Sequence, residues 1–491
     1  MKKVIVVGAG IAGLSAGIYA RRSGFDVTIL EQHSTFGGLS TGWSRKGYFI
    51  EGGMHWLTGS SPSVPMNKIW KETGALKPQT NIENREVLYT FYDGKEELRL
   101  FRYLPDMKKE FLRYAPEDSR MIKKLCREVK AFTKFFMPVM NVFGCKCKNP
   151  APSHLQDLIK MLGAIIKVPR LSRMSIEAYV QRFKNENLRH LLKSVIGYRY
   201  NVLSLVYTLG VFASGDCGYP EGGSVTLGKN MAETFVSLGG NIQYKTVVDK
   251  IVTESGAVTG VKTTDGVIQA DAVIITQDAR TAMENLFDKE VKSPWARRMK
   301  DNLISEQNVF ISLGVKKSFS SLPFSLVLPM NPPLEFCGNK WTELRINNYS
   351  HYGINAPEGC TTLTCLLIGN SYDFWKKARA DGTYRQKKQE LAKLFVERVS
   401  EFLPEIKDNI EMTDVATPCT YERYCGSFEG SWMSVWKAGG KQHNYPQKLK
   451  TVRGVYFAGQ RMRMPGGLPI AAYTGRQAVQ YLCRDTKTLF I

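Results

Sequence analysis

The residues best suited to hold a charged ligand lie in the first forty positions of this 491-residue chain. Gly8-Ala9-Gly10-Ile11-Ala12-Gly13 matches G-x-G-x-x-G. In that pattern the first glycine makes a tight turn and the second lets backbone approach a pyrophosphate. The third lets a helix pack closely on a strand. Glu31 follows 18 residues after Gly13, where a carboxylate accepts from both hydroxyls of a ribose. The chemistry these residues offer is that of a dinucleotide site.

The elements that must position them read in the right order. Val4-Ile5-Val6-Val7 is a β-branched run suited to a buried parallel strand. Residues 11–23 read as a helix whose free amino-end N–H groups face phosphate. Gly24 ends the helix, Val27–Leu30 is the next strand, and Glu31 closes it. A purely structural glycine turn is the alternative, but it gives no reason for the terminal acid.

After Glu31, Gln32 leads to Gly37-Gly38-Leu39-Ser40. This E-x5-G-G-x-[S/T] extension resembles the longer motif of FAD enzymes of the amine oxidase and phytoene desaturase superfamily. Its sense is a second glycine turn laid against the FAD pyrophosphate and ribityl chain. Gly47–Trp56 is similar to the G-[YF]-x-[FI]-[DE]-x-G segment beside the flavin ring, and it contains Gly53, Met54 and His55. Residues 206–285 return to strand–helix alternation, like the second FAD-domain segment of that superfamily, in which the residue matching Val248 lines the adenine. Gly454–Gly459, then Leu468-Pro469 opening a helix, resemble the closing FAD motif. The family usually has Asp where this chain has Gln460, whose amide can accept the same ribityl bond. Thr417–Tyr424 resembles a late segment of carotenoid isomerases and desaturases. Within the superfamily the chain is most similar to phytoene desaturases, carotenoid isomerases and retinol saturases.

The resemblance implies an α/β fold. A Rossmann-like FAD-binding domain is built from the discontinuous segments 1–85, 206–285 and 436–491. An α+β substrate domain at 286–435 is inserted, with a helical, basic, membrane-facing cap at 86–205. It also implies FAD as cofactor, held by Gly8, Gly10, Ile11, Ala12, Gly13, Glu31, Gln32, Gly38, Leu39, Ser40, Gly53 and Met54. Val248, Gly459, Gln460, Leu468 and Pro469 complete that set. His55 and Arg461 are the candidates for polar roles at the ring.

The chain carries 67 Lys and Arg against 45 Asp and Glu, a formal charge of +22. That sign points to nucleic acid, an acidic membrane surface or an anionic ligand. Hydrophobic residues at 43% and charged residues at 23% allow a large core and exclude disordered and collagen-like classes. Ten cysteines and six histidines show no metal-ligand spacing, so no metal is expected. Unpaired thiols suit a reducing cytosol. No window reaches the ~18 apolar residues of a spanning helix, and the glycine-rich run after Lys2-Lys3 lacks a signal-peptide cleavage pattern.

Residues 120–173 concentrate the charge. Twelve Lys and Arg oppose only Glu128 and Asp157, a balance of +10. Ser153-His154-Leu155-Gln156 reads as a capping box, followed by an apolar face of Leu155, Leu158, Ile159, Leu162, Ile165 and Ile166. Phe135–Phe143 is almost wholly apolar. Basic residues beside an apolar face mark a helix lying in a headgroup layer. The plainer reading packs the stripe on the core and leaves the lysines solvated. Nucleic acid is not expected, because no binding motif accompanies the charge. The expected location is cytoplasmic, peripheral at the inner face of an anionic membrane, with the oligomeric state open.

The expected reaction is hydride exchange between flavin N5 and carbon–carbon bonds of a lipophilic, unsaturated substrate. Desaturation, saturation and isomerisation of a carotenoid-, retinoid- or fatty-acyl-like molecule all suit such a site. The alternatives are an FAD-dependent amine oxidase, which wants a Lys near N5 and an aromatic cage, and a non-catalytic lipid-binding chaperone.

Overall fold

The computed structural model describes residues 1–148, 155–288, 291, 293–352, 356–440 and 444–491, with the side chains of 155–158 outside the description. The expected capping box at Ser153-His154 and the side chains of Leu155 and Leu158 therefore lie outside the described residues.

The β-branched run at the amino end forms the strand Lys3–Val7, buried from Val4 onward. It pairs in parallel with Asp26–Leu30 on one side and Ala272–Ile275 on the other. Asn241–Gln243 and Val455–Phe457 complete an all-parallel five-stranded sheet. Strands from three distant parts of the chain thus share one sheet. The helices Ile11–Arg22, Gly223–Ser237 and Gly467–Thr486 pack together beside it. The first and last of these are pressed close, because a Cβ on Gly475 would stand 2.4 Å from the Ala12 carbonyl.

A second body is a seven-stranded mixed sheet. Its order is Ile410–Ala416, Asn308–Val315, Thr361–Ile368, Asn339–Asn348, Ser325–Phe336, Val87–Tyr92 and Glu97–Phe101. Helix Tyr384–Ser400 covers it through Leu391, Phe395 and Val399. Two of the seven strands come from residues 87–101, inside the segment 86–205 expected to be a helical cap. The cause is the aromatic and β-branched run Val87–Tyr92, whose middle four residues are buried and which joins Ser325–Phe336 in parallel at Leu326 opposite Thr90.

The remainder of that segment is helical. Helix Leu155–Ile165 turns Met161 and Ala164 inward and leaves Ile159, Leu162 and Ile166 exposed. It packs on helix Ser119–Phe132. The Ile159, Leu162 and Ile166 stripe is therefore not a core stripe. Within Phe135–Phe143, Val139 and Val142 are buried against the last helix, and the Val142 N–H donates to Gln480 Oε1 at 3.0 Å. Phe143 is 95% exposed. Among the described residues no helix is long and apolar enough to cross a membrane.

Candidate active site

One cavity of about 900 Å³ opens at the carboxyl edge of the parallel sheet and continues into the second body. Gly8 leaves the first strand at φ +102°, which a side chain would resist. A Cβ on Gly13 would stand 1.9 Å from the Gly8 carbonyl, so Gly13 seats the helix on the turn. Gly10 is different: a Cβ there would meet protein no closer than 3.9 Å, and its open side belongs to the cavity. Glu31 braces this turn. Its Oε2 accepts from the Ala9 N–H at 2.6 Å and its Oε1 from the His33 N–H at 2.9 Å. Each oxygen keeps a further lone pair, and Glu31 lines the cavity.

The second glycine turn meets the first, with the Gly37 N–H donating to the Ala9 carbonyl at 2.9 Å. Ser40 Oγ is buried beside it with no partner among the described residues, although buried hydroxyls are nearly always bonded. Glu51 fixes the next strand end. Its Oε1 accepts from the N–H groups of Gly53 and Met54 at 3.0 and 3.1 Å, and its Oε2 from Ser224 N–H at 2.9 Å. The 51–54 turn is thereby nailed to the amino end of helix Gly223–Ser237. Val248 also lines the cavity.

In the closing segment the Gln460 amide is already engaged. Its Nε2 donates to the Trp432 carbonyl at 2.7 Å, and its Oε1 accepts the Gly467 N–H at 3.2 Å. This amide, expected to accept from a ribityl chain, also ties the start of helix Gly467–Thr486 to the 432 turn, and its Oε1 keeps a further lone pair toward the cavity it lines. Leu468 and Pro469 bring the first turn of that helix to the cavity, where its dipole favours negative charge.

Sixteen of the seventeen residues expected to hold FAD line this one cavity, Gly13 being the exception. Two glycine turns, a ribose-side acid and an unpartnered buried hydroxyl at Ser40 fit the nucleotide and its linker.

The two polar candidates also reach the cavity. His55 Nδ1 lies 3.4 Å from Asn347 Nδ2. Burial, then the charges of Arg345 and Arg85, push its imidazole down to about 3, so it is neutral near pH 7. Arg461 is held rather than free. Its Nε is 2.6 Å from Asp278 Oδ2, and its terminal nitrogens donate to Ser431 and Ser434.

Sequence reading missed Asp278 and the far wall of the cavity. That wall includes Tyr198, Tyr200, Tyr207, Trp341, Glu343 and Arg345. The available signal was a strand, Asn339–Asn348, alternating polar and apolar residues over most of its length, with half of its residues buried. Beyond this wall the cavity reaches Phe132, Phe135, Met137, Ile165 and Val168, which belong to the basic helical segment.

Comparison with known proteins agrees with this geometry. The family model described as flavin containing amine oxidoreductase matches residues 11–483. The chain is 24% identical to an all-trans-retinol 13,14-reductase of Danio rerio, covering 94% of this chain and 83% of that protein. It is also 24% identical to a chloroplastic prolycopene isomerase of Daucus carota, covering 98% and 80%. A solved putrescine oxidase variant shares the fold with TM-score 0.64 at 15% identity, over 98% of this chain and 99% of that one. This chain belongs to the flavin-containing amine oxidoreductase family and is an FAD-dependent oxidoreductase.

Proposed function

We propose that the enzyme acts on carbon–carbon bonds of a lipophilic, unsaturated molecule of the carotenoid, retinoid or fatty-acyl kind. The molecule is drawn from an anionic membrane at its cytoplasmic face. One observation carries the reading: the cavity is continuous from Gly10 and Glu31 to Ile165 and Val168 at the end of the amphipathic helix. A long apolar ligand fits such a path. Bound flavin supplies hydride exchange with a substrate carbon. The chain's own residues hold the cofactor, line an aromatic and apolar path for the substrate, and exclude water. The retinol reductase and the prolycopene isomerase among the relatives act, by name, on molecules of this kind.

The surface supports the membrane part. Met140, Phe143, Ile159, Leu162 and Ile166 are exposed in the same two segments as exposed Lys146, Lys148 and Lys160. That combination suits a headgroup layer, where each basic residue contributes about 1 kcal/mol.

An amine oxidase is the second reading, favoured by the likeness in fold to a putrescine oxidase and by the aromatic wall. The test is cosedimentation of purified protein with phosphatidylglycerol vesicles, alongside assays with polyene lipids and with amines. Binding to anionic vesicles and turnover of polyenes are expected. Failure to bind removes the membrane part. Amine turnover with peroxide release, and none of polyenes, replaces the substrate class.

A further inference from the structure

The far wall of the cavity carries a polar group that the cofactor site does not use. Along strand Asn339–Asn348, Leu344 and Ile346 face the helix-covered core. Glu343 and Arg345 alternate with them and line the cavity, and Asn347, next on that side, reaches His55. At about 3.3 Å per residue, Glu343 stands about 13 Å along the strand from Asn347.

Glu343 uses one oxygen heavily. Its Oε2 accepts from Thr342 Oγ1 at 2.6 Å and from His190 Nδ1 at 2.8 Å, and Lys193 Nζ stands 3.0 Å from it as an ion-pair partner. Its Oε1 has no donor among the described residues. Lys193 lines the same wall and donates to Thr342 Oγ1 at 3.2 Å, which leaves N–H capacity of its ammonium for a ligand. Burial opposes the charged carboxylate, yet the His190 hydrogen bond and the Lys193 charge hold Glu343 below the usual range. An ionised acceptor and a cationic donor thus sit side by side among Trp341, Val195 and Ile368.

The pair discriminates among ligand ends. A hydrocarbon end would leave Glu343 Oε1 and the spare N–H of Lys193 unmatched away from water, which is unfavourable. An ammonium suits Glu343 but meets Lys193, and a carboxylate has the opposite conflict. An ether accepts from Lys193 and gives Glu343 nothing. A hydroxyl donates to one and accepts from the other.

We propose that Glu343 and Lys193 anchor a terminal hydroxyl of the lipophilic substrate. Their distance from His55 along the strand then selects which carbon–carbon bond stands at the cofactor. The inference rests on the lipid-substrate reading above.

The test titrates the FAD-loaded full chain with four probes: a C20 polyene alcohol, its methyl ether, the corresponding primary amine and the parent hydrocarbon. Affinity is read from perturbation of the flavin spectrum. The wild type is expected to bind the alcohol at least about tenfold more tightly than the ether or hydrocarbon. Glu343→Met is expected to abolish that preference while keeping affinity for the hydrocarbon. Equal binding of alcohol and hydrocarbon by the wild type, which needs no variant, overturns the anchor. So does tighter binding of the amine, or a preference that survives in Glu343→Met. If none of the four perturbs the flavin, the lipid-substrate reading itself falls, and the anchor with it.

Discussion

Arg461 Nε stands 2.6 Å from Asp278 Oδ2, with both side chains almost sealed from water. The same Asp278 caps helix Ala279–Asn285, accepting from the Arg280 N–H at 3.0 Å. Its Oδ2 also takes the Phe428 N–H at 3.0 Å. One buried ion pair therefore joins the closing flavin segment, the end of the strand Ala272–Ile275 and the 428 turn.

Removing a single partner leaves a buried charge uncompensated, which costs about 3–5 kcal/mol. Asp278→Ala is expected to lower unfolding free energy by that amount in urea titrations. The double variant Asp278→Ala with Arg461→Met should recover much of the loss. An Asp278→Ala protein as stable as the wild type would refute the clamp.

Gly10 and Gly13 should separate binding from folding. Gly10→Ala places its methyl in the cavity with no protein atom nearer than 3.9 Å. It should stay within about 0.5 kcal/mol of wild-type stability and lose flavin affinity at least tenfold (roughly 1.4 kcal/mol). Gly13→Ala drives a methyl into the Gly8 carbonyl and should destabilise by about 1–3 kcal/mol or more. Flavin retention after dialysis and thermal melts of both variants check this. Equal behaviour of the two would contradict it.

The pH dependence of His55 has a definite sign. Its folded value lies near 3, below the ordinary 6.5, so between these the unfolded chain holds the additional proton. Stability is then lost as pH falls from about 6.5 toward 3, and His55 adds no slope above that window. His55→Gln should flatten the acid limb of the denaturation midpoint against pH and leave the profile above pH 7 unaltered. An unchanged acid limb would show that another group sets it.

How far the molecule could be read in advance depends on how local the code is. The Gly8–Gly13 turn, Glu31 and the Gly37-Gly38 turn were legible because a nucleotide-binding turn is written in adjacent residues. Three strands of the parallel sheet, Lys3–Val7, Asp26–Leu30 and Ala272–Ile275, followed from their β-branched runs. The row of Glu343, Arg345 and Asn347 was not legible, because alternation alone does not say which side of a strand faces a cavity. The same limit applies to the Ile159, Leu162 and Ile166 stripe. Periodicity gives a face, but Met161 and Ala164 offer a rival one, and only packing on helix Ser119–Phe132 decides between them. Asp278, as the partner of Arg461, is a contact between distant segments with no local signature.

The membrane contact should divide into electrostatic and apolar parts. Replacing Lys146 and Lys148 by Gln removes about 2 kcal/mol of attraction to anionic lipid, roughly 30-fold in affinity, and this part fades at high salt. Leu162→Asp with Ile166→Asp should weaken binding in a way that salt does not mimic. Vesicle cosedimentation at two ionic strengths measures both. Binding unaffected by either pair would place the contact elsewhere.

The central claim is that one cavity brings FAD and a lipophilic, unsaturated substrate together. An anaerobic spectrum of the purified protein, recorded while polyene lipids and then amines are added, tests it most directly. The account predicts about one bound flavin per chain, whose absorption changes with the polyene and not with the amines. A colourless protein, or a flavin that responds to amines alone, would contradict it.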